Sequence, residues 1–230
     1  MGTTEEAGLP NQDPVWEQIY SEGRQLNRYP YDGVVSFVFH RAPRHVPRPQ
    51  VRILEVGFGA GNNLWFCANE GFDVCGVDGS PSGVKAAQRR FEEEGLRGDL
   101  RIGDFSALPF PDGHCDLAIN RAALTQTGMS VARRAVDEVR RVLKPGGYFW
   151  NDIFSDRSTS RGRPGPDGTL LDIAGPIAGH GQTCFYTRKE IIALFAEGWA
   201  IESLTHVESM DTLQKPYEVL AQWIVVARKL

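Results

Sequence analysis

Apolar runs and helical segments alternate along most of the chain after residue 50. The runs cover residues 51–56, 72–78, 100–104, 115–120 and 148–154, and each is short enough for one buried strand. Between them, residues 62–69, 81–94 and 130–143 place apolar side chains at helical spacing. Strands that alternate with helices predict an α/β fold with a mostly parallel sheet and helices on both of its faces.

Local signals at element ends support this division. Ser80 followed by Pro81 is typical of a helix start, and Thr187 with Glu190 predicts a capping box for a further helix. Two β-rich stretches, residues 200–207 and 219–226, end the chain.

The domain boundaries follow from shifts in composition. Residues 1–13 are polar and acidic and predict a disordered tail, and residues 14–49 predict a helical cap with a Pro-rich connector. Residues 50–230 form the main α/β domain, with a Gly-, Pro- and Ser-rich insertion at about 155–183. A long segment after a strand end in such a sheet is typical of a lid over a ligand, and a mobile insertion without that role is the alternative.

Composition excludes several functional classes. The chain has 230 residues and a net charge of −4, which argues against a basic surface for nucleic acid or anionic membrane. The four cysteines form no C-x-x-C pair, so neither a zinc site nor a disulfide framework is expected. This pattern suits a protein in a reducing cytoplasm. No apolar run is long enough to span a bilayer. A cytoplasmic chain with no membrane and no nucleic-acid partner is therefore predicted, and its oligomeric state stays open.

A glycine turn follows the first predicted strand. The pattern is E-x-G-x-G-x-G, from Glu55 through Gly57, Gly59 and Gly61. A strand, a Gly-rich turn and a helix N-terminus make a nucleotide-type site, because missing side chains let the backbone approach the ligand. The dinucleotide fingerprint requires a glycine where Asn62 stands, and the Gly-Lys-Ser/Thr ending of a phosphate loop is absent.

Two carboxylates end the next strands. Asp78 lies at the end of the second strand, where a carboxylate can accept both hydroxyls of a ribose. Asp104 ends the third and is followed by Phe105, a pair that suits an exocyclic amine and an adenine edge. The alternatives are a helix-capping role for Asp78 and a loop role for Asp104.

With these motifs the sequence resembles the class I S-adenosylmethionine-dependent methyltransferase family. The similarity rests on LEVGFGAG, GVDGSP, GDFSALPFPDGHCDLAI and VRRVLKPGGYF, at residues 54–61, 76–81, 103–119 and 139–149. It implies a Rossmann-like seven-stranded sheet with the last strand antiparallel, and S-adenosylmethionine as cofactor with S-adenosylhomocysteine as product. It also implies a set of cofactor-binding residues: Glu55, Gly57, Gly59, Gly61, Asn62, Asp78, Gly79, Ser80, Asp104, Phe105, Asn120 and Arg121.

The acceptor side is far less determined. His180, between glycines of the insertion, and Asp152, at the end of the fifth strand, are candidate catalytic groups, with a surface histidine and a structural carboxylate as the alternatives. Four aromatic residues are candidates for a substrate pocket or for core packing: Tyr20, Tyr29, Trp150 and Tyr186. No carboxylate–histidine spacing indicates a metal.

These residues favour methyl transfer to an oxygen or nitrogen atom of a small biosynthetic molecule. The tetrads typical of adenine- or amide-nitrogen methyltransferases are missing after the fourth strand, where NRAALTQ stands. Two alternatives from other classes stay open, a nucleotide-dependent oxidoreductase and a non-catalytic S-adenosylmethionine-binding protein.

Overall fold

A seven-stranded sheet forms the centre of the protein in a computed structural model that describes residues 13–230. The described residues form nine strands. Numbered in chain order, they are β1 (Arg52–Val56), β2 (Asp73–Asp78), β3 (Asp99–Ile102), β4 (Cys115–Arg121), β5 (Leu143–Phe154), β6 (Arg161–Pro164), β7 (Leu170–Ala174), β8 (Trp199–Met210) and β9 (Val219–Lys229). Two of them, β6 and β7, lie outside this sheet. The sheet order is β3-β2-β1-β4-β5-β9-β8. β9 runs antiparallel to both of its neighbours, β5 and β8, and every other pair in this sheet is parallel, so the predicted fold class is confirmed.

Helices cover both faces of this sheet. They are α1 (Val15–Ser21), α2 (Asp32–Arg41), α3 (Asn62–Asn69), α4 (Pro81–Glu93), α5 (Met129–Val142) and α6 (Arg188–Leu194). Both predicted caps are present. Ser80 Oγ accepts a hydrogen bond from the Gly83 amide at the start of α4, and Thr187 and Glu190 form the capping box of α6. None of the helices within residues 13–230 combines the length and the apolar character needed to cross a bilayer.

Each face of the sheet has its own apolar core. One face packs against α5 and α6, with Val136, Phe149 and Phe195 among the buried residues. The other packs against α2, α3 and α4, with Val38 and Leu64 among them. The strands are apolar on both sides because both sides are buried, which explains why they read as continuous apolar runs in the sequence.

Three segments outside the regular alternation are the N-terminal tail, the insertion and residues 144–147. Residues 1–12 of the predicted tail lie outside the described residues. The insertion at 155–183 has more regular structure than its composition predicted, because β6 and β7 form a two-stranded antiparallel hairpin. Residues 144–147 lie inside β5, where the pairing with β4 shifts register and Gly146 adopts a φ of 78°.

Candidate functional site

One cavity of about 350 Å³ lies along the carboxyl ends of the parallel strands. Its walls include Glu55 near the end of β1, Asp78 at the end of β2 and Arg121 at the end of β4. Such volumes are typical of small-ligand sites. Open α/β sheets bind ligands at this edge, so the cavity lies where the fold predicts a site.

Some backbone amides of the glycine turn donate within the protein, and others have no protein acceptor. The amides of Gly57, Gly59 and Gly61 donate inside the protein, to Val77 O at 2.8 Å, Asp78 Oδ2 at 2.7 Å and Phe58 O at 2.8 Å. The residues between them, Phe58 and Ala60, line the cavity, and their amides have no hydrogen-bond acceptor within residues 13–230. The turn therefore leaves two N–H groups without a protein acceptor at residues that line the cavity.

The three glycines serve different neighbours, which corrects their predicted common role. All have positive φ, at 68°, 55° and 75°. Gly57 lines the cavity, and a Cβ there would collide with Ala123. Gly59 and Gly61 do not line it: a Cβ on Gly59 would collide with the Tyr20 hydroxyl, and one on Gly61 would come within 2.8 Å of Ala87 Cβ. These two glycines make room for the cap and for α4.

Asp78 is a buried carboxylate at the cavity wall. Its oxygens accept hydrogen bonds from the amides of Gly59 and Ser80, at 2.7 and 2.8 Å. Burial raises the pKa of Asp78 to about 6, although both amides stabilise the charged form. At neutral pH the group is therefore mainly a carboxylate, able to accept further hydrogen bonds from a ligand hydroxyl.

Glu55 is a second buried carboxyl group at the cavity wall. Burial raises its pKa to about 8, and the charge of Asp78 adds to this effect while the hydrogen bond from Asn63 opposes it. Oε1 accepts that bond at 2.7 Å, whereas the buried Oε2 has no partner within the described residues. A buried polar atom without a partner is uncommon in proteins, so Oε2 is expected to gain a hydrogen bond when a ligand binds.

The adenine-side candidates also line the cavity. Asp104, Phe105, Gly79 and Asn62 all belong to its walls. Asp104 Oδ1 accepts from the Ser106 amide at 2.7 Å, and Asn62 Nδ2 donates to Tyr29 O at 2.8 Å. The predicted residues from β2 and β3 are thus brought together at one end.

Helix α1 covers this end. Glu17 accepts hydrogen bonds from the Ser82 amide at 3.1 Å and from Ser82 Oγ at 2.6 Å, at the start of α4. Ser80 Oγ also donates to Glu17, so Ser80 holds the cap and α4 and does not line the cavity. Tyr20, predicted for the substrate pocket, lies over Gly59 and Gly83 on the cofactor side.

Arg121 lies between the cavity and a buried acid. Its Nε is 3.2 Å from Asp152 Oδ2, and its guanidinium is 4.3 Å from the centre of the Tyr31 ring. Asp152 also accepts from Gln222 Nε2 at 2.9 Å and does not line the cavity. This corrects its candidacy as a catalytic group, because its carboxylate contacts Arg121 and Gln222 behind the wall.

Four other candidates lie outside the cavity walls. Asn120 is buried, and its side chain joins Asp152 O and the Leu124 amide, both at 3.1 Å. Trp150 packs in the core beneath Gly33, and Tyr186 is buried in the opposite core. Tyr29 is 72% exposed. The two buried rings follow the core-packing alternative, and Tyr31 takes the place predicted for Tyr29.

His180 forms part of a roof over the other end. Its Nδ1 is 2.9 Å from Ile177 O, and its ring centre is 5.7 Å from that of Trp16. Ile177, His180 and Trp16 all line the cavity. Asp13 Oδ2 accepts from the Gln182 amide at 2.7 Å and so joins the cap to the insertion.

Sequence reasoning missed several walls of the cavity. They are Asp13, Trp16, Gln25, Asn27, Tyr31, Phe58, Ala60, Asn63, Gly103, Ala122, Ala123, Gln126, Phe154, Pro176, Ile177 and Leu220. Asn63 and Ala123 follow motif residues closely and were detectable as neighbours. Gln126, Ile177 and Leu220 come from separate segments, and no local pattern links them.

The cavity fits S-adenosylmethionine on its own geometry. It offers two free amides, a carboxylate for ribose hydroxyls, and an unpartnered carboxyl oxygen for a donor. These groups lie at the ends of β1 and β2, as a ligand with a nucleoside and an amino-acid part requires.

Known proteins share this organisation. Residues 53–147 match a family model described as methyltransferase domain. The chain is 32% identical over 142 residues to a fatty-acid O-methyltransferase of Mycolicibacterium smegmatis, covering 60% of this chain and 48% of that protein. It is also 32% identical to a ribosomal RNA small subunit methyltransferase C of Alcanivorax borkumensis, over 43% of this chain and 31% of that protein. The chain thus spans less than half the length of these relatives.

A solved structure agrees in fold. A SAM-dependent methyltransferase of Methanosarcina mazei superposes with a TM-score of 0.67 at 21% identity, over 88% of this chain and 99% of that one. At this identity the likeness concerns the fold alone.

Proposed function

Because this chain belongs to the class I S-adenosylmethionine-dependent methyltransferase family, we propose that it transfers a methyl group to an oxygen or nitrogen atom of a small molecule. The observation that supports this most is the single cavity that joins Asp78 and the glycine turn to the roof around His180. A cofactor at one end and an acceptor at the other would share that space.

The residues at the first end of the cavity would bind the cofactor. Asp78 would accept the ribose hydroxyls, Asp104 and Phe105 would contact adenine, and Glu55 Oε2 with the amides of Phe58 and Ala60 would bind the amino-acid part. When bound, the cofactor supplies an electrophilic methyl group on a sulfonium. The protein needs to align the acceptor with that group and exclude water, and good alignment alone offsets roughly 7–11 kcal/mol of a reaction barrier.

A small acceptor is favoured over a nucleic acid by the roof and the charge. Helix α1 and the 176–182 segment cover the cavity, and the chain has a net charge of −4. A polynucleotide acceptor needs cationic contacts to its phosphates. The relative named for ribosomal RNA makes this a point to test with RNA as a competing acceptor.

A cytoplasmic location is part of the same proposal. All four cysteines are buried and unpaired, and free thiols are typical of a reducing compartment.

The alternatives predict other outcomes in one experiment. The protein is incubated with S-adenosylmethionine labelled in the methyl group, together with a small-molecule extract or with total RNA. Label in a small product supports the proposal. Label in RNA would show that the acceptor is a nucleic acid and not a small molecule. Cofactor binding without any transfer would identify a non-catalytic binding protein. An oxidoreductase would bind a nicotinamide dinucleotide instead.

A further inference from the structure

The His180 ring is held in one tautomer by its own turn. A carbonyl oxygen only accepts, so the contact of 2.9 Å between Nδ1 and Ile177 O requires a proton on Nδ1. In the neutral ring the lone pair is then on Nε2. That atom has no hydrogen-bond partner within residues 13–230, and the ring lines the cavity. His180 therefore offers the cavity a proton acceptor.

The segment that carries His180 is fixed from two sides. On the cap side, Asp13 Oδ2 accepts from the Gln182 amide at 2.7 Å. On the sheet side lies Gln126, and with its amide nitrogen turned toward two carbonyl oxygens it donates to His180 O at 2.6 Å and to Gln182 O at 2.9 Å. A base held by its surroundings loses little freedom when an acceptor binds, which is what proton transfer requires.

The Trp16 ring packs beside His180. Its ring centre is 5.7 Å from that of His180, and its buried Nε1–H has no acceptor within the described residues. The free Nε2 favours an acceptor that loses a proton. A hydroxyl donates to Nε2, whereas a carboxylate has no proton to give, and a neutral amine attacks a methyl group without first losing one.

The surrounding walls define the rest of the acceptor. Phe154, Ile177, Pro176 and Leu220 present apolar surface at this end. Arg121, which is the arginine among the described lining residues, is already paired with the carboxylate of Asp152. An acceptor with its own negative charge would lack a free counter-ion, so a neutral, largely apolar molecule fits best.

This inference rests on the proposed function: we propose that the acceptor is a neutral aromatic ring bearing a phenolic hydroxyl, and that His180 Nε2 removes its proton. Phenols suit this base because their acidity is much closer to that of imidazolium than the acidity of aliphatic alcohols is. The phenolic oxygen forms the new O–CH₃ bond as the methyl–sulfur bond breaks, and sulfur keeps that electron pair. The phenolic proton moves to Nε2 and then to water, leaving S-adenosylhomocysteine and an aryl methyl ether.

A series of para-substituted phenols tests this acceptor class. The series runs from 4-methoxyphenol to 4-nitrophenol, and benzoate and benzylamine serve as comparators. Initial rates of label transfer from S-adenosylmethionine are measured at pH 7 and above, with His45→Ala as a control because His45 is exposed outside the cavity. Wild type and the control should methylate the phenols in preference to both comparators.

The variant His180→Ala tests the base. It should lose about 10²–10⁴-fold in rate on the less acidic phenols. The loss should shrink toward 4-nitrophenol and at higher pH, where the phenolate forms without help. His180→Gln should behave in the same way, which guards against a folding defect of one variant. A purely structural role predicts an equal loss for every phenol.

Binding of S-adenosylhomocysteine tests the proposed function separately from the acceptor. If wild type fails to bind it, the proposed function itself fails. If wild type binds it but methylates benzoate, benzylamine or none of the phenols, the acceptor inference is overturned. Rates of His180→Ala within twofold of wild type across the series would overturn the role of the base.

Discussion

Asp13 and Gln182 are joined by a hydrogen bond of 2.7 Å between residues 169 positions apart in the chain. The bond connects the segment before α1 with the end of the insertion, and both segments line the cavity. A Cβ on neighbouring Gly181, which has a φ of 79°, would collide with the Asp13 carboxylate. The cap and the insertion therefore form one roof, which neither segment forms alone.

We expect Asp13→Ala to loosen this roof. Loss of a bond worth ~1.4 kcal/mol should speed amide hydrogen exchange in residues 176–182 about tenfold. Asp211→Ala is the matched control, because Asp211 is exposed in the connection between β8 and β9. Unchanged exchange in residues 176–182 of the Asp13 variant would show that the bond does not hold the roof.

Gly59 should be sensitive through Tyr20. Gly59→Val combines a left-handed φ of 55° with a collision against the Tyr20 hydroxyl, and should abolish measurable binding of S-adenosylhomocysteine. Gly71→Val has a φ of 85° and open space around the Cβ, so it measures strain without the collision. It should cost about 1–3 kcal/mol of stability and leave binding intact.

A second substitution tests the cause of the Gly59 effect. Removing the tyrosine ring with Tyr20→Ala should restore part of the binding in Gly59→Val. If the double variant binds no better than Gly59→Val alone, the added side chain acts on the ligand or the turn directly, as the sequence first predicted.

Asp78 should give cofactor binding a pH dependence. Its pKa is raised to about 6, so the carboxylate that accepts ribose hydroxyls gains a proton as the pH falls through 6. Affinity for S-adenosylhomocysteine should therefore fall between pH 7 and pH 5. At pH 7, Asp78→Ala should weaken binding by roughly 1.5–3 kcal/mol and flatten this dependence.

Asp99→Ala is the control for that measurement, since Asp99 pairs with Arg101 away from the cavity. A folded Asp78→Ala protein with native affinity would remove the ribose assignment.

The sequence predicted the cofactor half of the site far better than the acceptor half. Glu55, Asp78 and Asp104 lie at or within two residues of strand ends, so a local pattern of an apolar run followed by a polar residue places them at one edge. Tyr31, Gln126 and Ile177 reach the cavity from a cap, a turn and an insertion, and only tertiary packing brings them together. Asp152 shows the limit in the other direction: a strand end predicts proximity to the edge but not which neighbour the carboxylate contacts.

Glu55 should make folding stability depend on pH. Its folded pKa of about 8 lies above the pKa of 4.5 that is usual for a glutamate carboxyl exposed in an unfolded chain. A raised pKa contributes stability that is complete below pH 4.5 and is lost as the pH rises through 8. Glu55→Gln keeps the shape and cannot ionise, so its unfolding free energy relative to wild type should increase from pH 5 to pH 9.

Chemical denaturation at several pH values measures this difference. Glu218→Gln is the control, because Glu218 is exposed beyond the cavity. A difference between Glu55→Gln and wild type that does not change with pH would contradict a protonated Glu55 in the folded protein.

Calorimetric titration of wild-type protein with S-adenosylhomocysteine, and separately with NAD⁺, tests the central claim most directly. The cavity that joins the glycine turn, Asp78 and the roof predicts one S-adenosylhomocysteine site per chain and no heat of binding for NAD⁺. No binding of S-adenosylhomocysteine, or binding of NAD⁺ in its place, would contradict a methyltransferase site in this cavity.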